Sequence, residues 1–124
     1  MVDLIYKEEA FEIVGICMEV HRLLGKGLLE IVYKDALEYE FNKRIIPYAR
    51  EKGYPVKYKD IILPHSFNAD FVVRDKIIFE VKAKSDFANA DVAQTINYLR
   101  LSNLKLGLLV NFGTTSLEYK RIVL

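Results

Sequence analysis

Residues Ile77–Lys84, IIFEVKAK, form an apolar, β-branched run that contains an acid and a lysine. β-Branched and aromatic residues favour strands, and side chains two residues apart in a strand point to the same face. Glu80 and Lys82 therefore share one face, while the apolar residues around them take the other face, which we expect to be core. We expect this strand at the centre of the fold, with its charged pair on one side.

A second strand-like run, ADFVVR, comes just before it, and the segment Arg74–Lys76 suits a tight hairpin turn between the two. A three-residue turn would pair Val73 with Ile77. In that register Asp70 lies opposite Glu80, and two carboxylates that face each other across a strand pair repel. A divalent cation bound between them would remove the repulsion. The alternative is an amphipathic hairpin whose charged face is simply solvated.

The composition predicts one globular domain over residues 1–124, since the chain has 124 residues and is 52% hydrophobic. Its 18 basic and 17 acidic residues leave a net charge of +1, so any nucleic-acid contact must come from a local patch. The lone Cys17 cannot form an internal disulfide, which favours a reducing compartment. The sequence shows no signal-peptide pattern and no apolar run of membrane length, and we expect a soluble cytoplasmic protein with no membrane contact.

Two helices are predicted near the N-terminus, over about Glu8–Leu24 and Leu28–Asn42, because apolar residues recur there at three- and four-residue spacing. His21 falls on the inner stripe near the end of the first helix, where a hydrogen-bonded core histidine is a commoner finding than a ligand. Glu30 lies in the first turn of the second helix, and Tyr33 lies one turn on. A favourable first-turn charge and a core aromatic would explain these two residues without any function.

Strands are predicted between Ile45 and Leu63, with a hairpin turn at Lys59-Asp60, and Pro64-His65-Ser66 after them is predicted to be a loop. This is the most basic part of the chain, and tyrosines are interleaved with its cations. It is either a phosphate-contacting surface or the solvated side of an edge strand, where lysines deter aggregation. The cations are Arg44, Arg50, Lys52, Lys57 and Lys59.

A third helix is predicted from Asn89 or Ala90 to Ser102, with Asn89 as a candidate N-cap. Gln94 and Tyr98 are four residues apart, which makes them neighbours on the surface of this helix.

The C-terminal part is predicted to form two more strands. Residues 105–111, KLGLLVN, are a continuous apolar run typical of a strand buried on both faces, and a last strand follows over 119–124. A strand, a helix and a buried strand in succession predict a crossover with parallel pairing. We therefore expect an α/β (α+β-like) fold whose mixed sheet of about four to six strands is flanked by helices.

The segment Gly27–Tyr33, GLLEIVY, resembles the signature of the GxxExxY family, which is grouped with the PD-(D/E)XK nuclease-like superfamily. The pattern Asp70…Glu80-Val81-Lys82 is similar to the D…ExK motif of those nucleases. The segments that match in the family's order are VHRLLGKGLLEIVYKDALEYE, ADFVV, IIFEVKA, AQTINYL and GLLVNFG. The resemblance thus covers nearly the whole chain and implies a restriction-endonuclease-like core, with two helices first and one helix after the central hairpin.

The resemblance also implies roles for individual residues. It makes Asp70, Glu80 and Glu30 metal ligands, the last of them supplied by a helix. Lys82 becomes the catalytic lysine, and these four residues form the catalytic group. The residues expected to support the site or bind substrate are Gln94, Tyr98, His21 and Tyr33. One departure is Ala69, since the family's pattern has proline before the aspartate.

Carboxylate oxygens, with no cysteine and few histidines in the set, suit Mg²⁺ or Mn²⁺ better than zinc. Our leading hypothesis is a metal-dependent nuclease that hydrolyses phosphodiester bonds of DNA or RNA. The alternative is a catalytically inactive nuclease-fold module that binds nucleic acid or a protein partner, which the near-zero net charge favours. A small-molecule enzyme is a third hypothesis, but no nucleotide-binding glycine loop supports it. A chain this small often needs a second copy to grip both strands of a substrate, so we also expect a homodimer.

Overall fold

The structure, a computed structural model, describes residues 4–124. Within this range the elements are α1 (Lys7–Leu24), α2 (Glu30–Lys43), β1 (Tyr48–Tyr58), β2 (Ile61–Val73), β3 (Ile77–Lys82), α3 (Asn89–Ser102), β4 (Leu106–Asn111) and β5 (Glu118–Val123). The strands form one sheet in the order β1-β2-β3-β4-β5. Neighbouring strands are antiparallel except β3 and β4, which are parallel because α3 connects them. The predicted α+β-like fold, a mixed sheet of about four to six strands flanked by helices, is confirmed.

Helices cover both faces of the sheet. The larger hydrophobic core lies between the sheet and the pair α1 and α2, and the smaller core lies between the sheet and α3. Along β3, Ile77, Phe79 and Val81 belong to the larger core, whereas Ile78 belongs to the smaller one. Because strand side chains alternate, Glu80 falls on the same face as Ile78, the face that α3 covers.

The register of the central hairpin matches the prediction. Val73 pairs with Ile77 and Phe71 pairs with Phe79, which brings the next two positions, Asp70 and Glu80, side by side. The turn between the strands is tight because two successive residues take positive φ values, Arg74 at 56° and Asp75 at 54°. The short three-residue connection therefore fixes the register on which the site depends.

The strands β1 and β2 extend well beyond the rest of the sheet. Their pairing runs from Tyr48/Val73 to Tyr58/Ile61, but β3 pairs with β2 over only its last three residues. Residues 52–68 therefore form a two-stranded ribbon, and the predicted turn at Lys59-Asp60 is its tip. The prediction of a loop at Pro64–Ser66 is wrong, because this segment continues β2. The ladder shifts register next to it, and β2 pairs with β3 only over residues 71–73, so within the ribbon its other side is free and tolerates a proline.

At the base of the ribbon, the side chains of β2 that face one side of the sheet switch to the other side. Phe71 packs in the larger core, but Ala69 and Phe67, which alternation would place on the same face, pack in the smaller core. Glu51 lies at the exchange and has a φ of 55°, a left-handed conformation that residues other than glycine rarely adopt. The flanking pairs of the β1–β2 register place Glu51 across from Asp70.

The helix starts differ slightly from those predicted. The second helix begins at Glu30 rather than Leu28, and the third has Ala88, not Asn89, at its N-cap position. Asp91, the third residue of α3, accepts a hydrogen bond from the Ala88 amide at 2.8 Å. This bond caps the start of the helix, where the Asn89 side chain was predicted to do so. Within residues 4–124, none of the helices combines the length and the apolar character needed to cross a bilayer.

Candidate active site

Two buried carboxylates interlock where β2 and β3 leave their regular ladder. The backbone amide of Asp70 donates to Glu80 Oε2 at 2.7 Å, and the backbone amide of Val81 donates to Asp70 Oδ2 at 2.8 Å. Asp70 is 9% exposed and Glu80 only 2%. Each acid is thus held by the backbone of the opposite strand, so the two acids form one rigid unit.

Burial and the neighbouring charge of Asp70 change the ionisation of Glu80. Burial first, and then the negative charge of Asp70, raise the pKa of Glu80 from 4.5 to about 8. The hydrogen bond from the Asp70 amide and the positive charges of Lys82 and Lys34 act in the opposite direction but only in part. Near neutral pH, Glu80 therefore holds a proton, and added positive charge would favour its ionised form.

Lys34 is a member of this cluster that sequence reasoning missed. Its ammonium donates to Asp70 Oδ1 at 2.9 Å and also to the Glu51 carboxylate, and its side chain is only 8% exposed. Burial by itself would lower the pKa of Lys34, but the hydrogen bonds to Glu51 and Asp70 outweigh it and raise the pKa. The available signal was its position on α2: Lys34 falls on the buried stripe that Leu37 and Phe41 continue.

Glu30 is brought to the same place by α2. It is the first residue of that helix and lies one turn before Lys34, on the same side. Burial first, and then the negative charge of Asp70, raise the pKa of Glu30, while the charges of Lys82, Lys34 and Lys84 counteract the increase. The charges of Asp70, Lys82 and Lys34 therefore act on the Glu30 carboxylate.

The third helix brings two polar side chains to the β3 face that carries Glu80 and Lys82. Lys82 Nζ donates to Gln94 Oε1 at 3.0 Å. Tyr98 is 4% exposed, and burial followed by the charges of Glu80 and Asp70 raises its pKa to about 12. Gln94 therefore holds the lysine, and Tyr98 stays a neutral phenol on the same helix.

His21 and Tyr33 hydrogen-bond to loop carbonyls rather than to the carboxylates. His21 Nε2 donates to the Thr114 carbonyl at 2.9 Å, and the Tyr33 hydroxyl donates to the Gly25 carbonyl at 2.6 Å while it accepts the Leu28 amide. Tyr33 is fully buried and also stacks on an aromatic ring of the C-terminal region. Its hydroxyl thus holds the loop that leads into Glu30. Tyr33 therefore acts on the carboxylate cluster through this loop and not by direct contact.

A second overlooked group fixes the end of β3. Asn111 Oδ1 accepts the Lys84 amide at 3.1 Å, and Asn111 Nδ2 donates to the Lys84 carbonyl at 2.9 Å. A Cβ atom on Gly113 would lie 2.2 Å from that carbonyl oxygen. The Phe112 amide donates to the carbonyl of Lys82 at 2.8 Å. A buried asparagine at the end of an apolar strand was the sequence signal for this junction.

The chemistry of the cluster suits a hard divalent cation. Asp70, Glu80 and Glu30 offer carboxylate oxygens, the donors that Mg²⁺ and Mn²⁺ prefer. The Lys34 ammonium on Asp70 shows that a cation is favourable at this position. As the side chains stand, no three His, Cys, Asp or Glu residues in the described part of the chain are grouped as a metal site. Loading a metal would therefore require the carboxylates to turn toward a common point.

Comparison with known proteins agrees with the predicted restriction-endonuclease-like fold. A family model described as the PD-(D/E)XK nuclease superfamily matches residues 7–122, so the chain belongs to that superfamily. The fold is similar to a solved structure described as the crystal structure of SSO0001, with a TM-score of 0.54 and 18% sequence identity over 74% of this chain. The match spans 48% of that other chain. Among curated proteins, no significant match was found.

Proposed function

We propose that this protein is a metal-dependent nuclease that hydrolyses phosphodiester bonds of DNA or RNA. The observation that carries the proposal is the interlocked pair of Asp70 and Glu80, with Lys82 on the same strand face. A domain kept only for its packing would have little reason to bury two acids together, because burying charged groups is costly even when they are paired. Nucleases of this superfamily generally use divalent metals, which supports Mg²⁺ or Mn²⁺ as the cofactor.

In this proposal, Asp70, Glu80 and Glu30 hold the cation. The cation supplies Lewis-acid activation of the phosphate and of the attacking water. Lys82, oriented by Gln94, directs its ammonium to the reacting phosphate, where it neutralises the developing negative charge or positions the water.

The remaining predicted residues position this group. Tyr98, on the same helix as Gln94, is a hydrogen-bond donor to substrate oxygen atoms. Tyr33 acts through the loop before α2, which positions Glu30, and His21 binds the loop between β4 and β5 through the Thr114 carbonyl. The narrower resemblance to the GxxExxY family belongs to this proposal, because its characteristic glutamate and tyrosine are Glu30 and Tyr33.

The ribbon supports nucleic acid as the partner. Residues 52–68 contain three lysines and one aspartate, in a chain whose net charge is +1, so positive charge is concentrated there. At the tip, Tyr58, Ile61 and Ile62 are each more than half exposed. Lysines that only prevent the aggregation of an edge strand would not be accompanied by exposed apolar side chains at its tip. The base of the ribbon is Glu51 and Asp70, so a nucleic acid bound at the site would reach the ribbon.

A second candidate function is an inactive nuclease-fold module that binds nucleic acid or a protein partner. The near-zero net charge and the ion pair that already neutralises Asp70 favour it. The expected homodimer has no support in the structure, and it stays a prediction from chain length alone.

A cleavage assay separates the two functions. Labelled single- and double-stranded DNA and RNA would be incubated with wild type, Glu80→Gln and Lys82→Met, with Mn²⁺ or with a chelator. The nuclease proposal predicts Mn²⁺-dependent cleavage by the wild type and a loss of about a hundredfold or more in either variant. Glu118→Gln on the exposed edge strand β5 is the matched control and should keep full activity. Binding without cleavage under every condition would favour the inactive module.

A further inference from the structure

We propose that Lys34 is a built-in competitor for the metal: its ammonium holds the Asp70 carboxylate, and metal binding moves it onto Glu51 alone. The inference rests on the proposed function for the identity of the metal. It adds a cation position, formed by Asp70 and Glu51, which the chain fills with its own side chain.

The geometry of Lys34 shows why it would compete. Its ammonium lies 2.9 Å from Asp70 Oδ1, while the other oxygen of that carboxylate accepts the Val81 amide. Both oxygens of Asp70 are therefore already engaged. A divalent cation bound to this carboxylate would lie a few ångströms from the ammonium, and two positive charges that close repel strongly in a poorly solvated site.

Glu51 gives the displaced ammonium a place to go. An ammonium that lost its only partner while buried would be strongly destabilised. Lys34 already donates to Glu51, whose side chain is 49% exposed, so it can leave Asp70 without losing its counter-charge. The left-handed backbone of Glu51 is a strained conformation for a glutamate, and strain of this kind is common at functional sites.

Lys34 and Glu30 share one side of α2. Glu30 is four residues before Lys34, so the two side chains are neighbours on the helix surface, and Lys34 reaches Asp70 from there. A small shift of this helix would exchange the positive group for the negative one next to Asp70. Asp70 thus binds either the Lys34 ammonium or a metal that Glu30 also binds, and the two states exclude each other.

Calorimetric titration with Mn²⁺ tests the inference by measuring binding, without an activity assay. Lys34→Met removes the competing charge and is expected to lower the Kd for Mn²⁺ by about tenfold or more. Lys34→Arg keeps the charge and should stay close to wild type. Lys76→Met, on the turn between β2 and β3, removes a lysine that pairs with Glu9 and should also leave the Kd unchanged. An unchanged or higher Kd for Lys34→Met would overturn the inference.

A second measurement uses the wild-type protein and so does not depend on the folding of a variant. Lysine acetylation, read by mass spectrometry, reports how accessible each ammonium is. Mg²⁺ is expected to increase the acetylation of Lys34 several-fold, because the side chain leaves its buried position. In Glu80→Ala the increase should be absent. Equal acetylation of Lys34 with and without Mg²⁺ would contradict the inference.

The outcomes also separate this inference from the proposed function. If neither the wild type nor Lys34→Met binds Mn²⁺, both the metal site and the competition are excluded. If the wild type binds Mn²⁺ and Lys34→Met binds it no more tightly, the metal site stands and the role of Lys34 is excluded.

Discussion

The backbone amide of Asp70 donates to the Glu80 carboxylate at 2.7 Å, and this bond ties the two acids to each other across two strands. The Val81 amide completes the connection by donating to Asp70. The positions of both carboxylates are consequently set by backbone geometry rather than by flexible side chains. The backbone thus keeps the two acids together in a buried place, which makes the site sensitive to pH.

The stability of the fold is expected to fall as the pH rises through the ionisation range of Glu80. Burial and the charge of Asp70 raise the pKa of Glu80 to about 8, above the ordinary value of 4.5 that it has in the unfolded chain. Between these values the folded state holds a proton that the unfolded state has lost, so rising pH favours unfolding. We expect a loss on the order of a few kcal/mol between about pH 5 and pH 8, measured by urea unfolding. Glu80→Gln should remove most of this dependence, and an identical dependence in the variant would contradict the assignment.

Metal binding near neutral pH is expected to release protons. Because Glu80 holds a proton in that range, a cation that binds its carboxylate must displace the proton. Mn²⁺ titrations in buffers with different heats of ionisation measure the number released, and we expect about one per site. The affinity should accordingly increase toward about pH 8. A binding heat that is the same in all buffers would show that Glu80 is not a ligand.

Tyr33→Phe is expected to loosen the loop before Glu30. The substitution removes a buried hydroxyl that donates to the Gly25 carbonyl and accepts the Leu28 amide. We expect it to lower the free energy of unfolding by about 1–2 kcal/mol and to weaken Mn²⁺ binding, because Glu30 is then less well placed. Tyr39→Phe, on the exposed side of the same helix, is the matched control and should change neither quantity. Equal effects of the two substitutions would exclude the positioning role.

Gly113→Ala is expected to disrupt the end of β3 that carries Lys82. A methyl group at this position would meet the Lys84 backbone at 2.2–2.6 Å, and a backbone cannot yield as a flexible side chain can. We expect a loss on the order of 3 kcal/mol in unfolding free energy. Gly15→Ala is the control, because a Cβ there meets nothing within 4 Å and the site is inside α1. That control should stabilise the protein by about 0.5–1 kcal/mol, so opposite signs are predicted for the same chemical change.

Charge reversal on the ribbon is expected to weaken nucleic-acid binding. Lys57→Glu combined with Lys59→Glu should reduce the affinity for a DNA duplex by about tenfold or more and reduce its salt dependence. The double variant Lys105→Glu with Lys120→Glu makes the same change in net charge away from the ribbon. Fluorescence anisotropy at several salt concentrations measures both. Equal losses in the two double variants would mean that net charge, and not the ribbon, controls binding.

Local pattern was enough to predict the central hairpin and its acids. The alternation along Ile77–Lys82 and the short turn before it determine the register, and those relations involve residues close in sequence. The parallel pairing of β3 with β4 followed from the intervening helix. The motif residues Asp70, Glu80 and Lys82 lie on these strands, so their approach to one another was predictable.

The partners of Asp70 on other elements were not predictable in the same way. Lys34 is 36 positions before Asp70 in the chain, and their contact depends on how α2 packs against the sheet. Glu51 pairs with Lys34, and strand alternation does not anticipate its left-handed backbone at the point where the strand faces exchange. The loop predicted at Pro64–Ser66 was wrong because β2 has a free side within the ribbon, which tolerates a proline.

The most direct measurement is a crystal structure with Mn²⁺ and an oligonucleotide, in which the anomalous scattering of manganese locates the metal. We expect a peak about 2.0–2.2 Å from oxygens of Asp70 and Glu80, with Glu30 turned toward it and the Lys34 ammonium withdrawn to Glu51. The phosphate backbone of the oligonucleotide should lie against the same metal, within reach of Lys82. A manganese peak elsewhere, or none at the interlocked carboxylates when nucleic acid is bound, would contradict the proposed nuclease site.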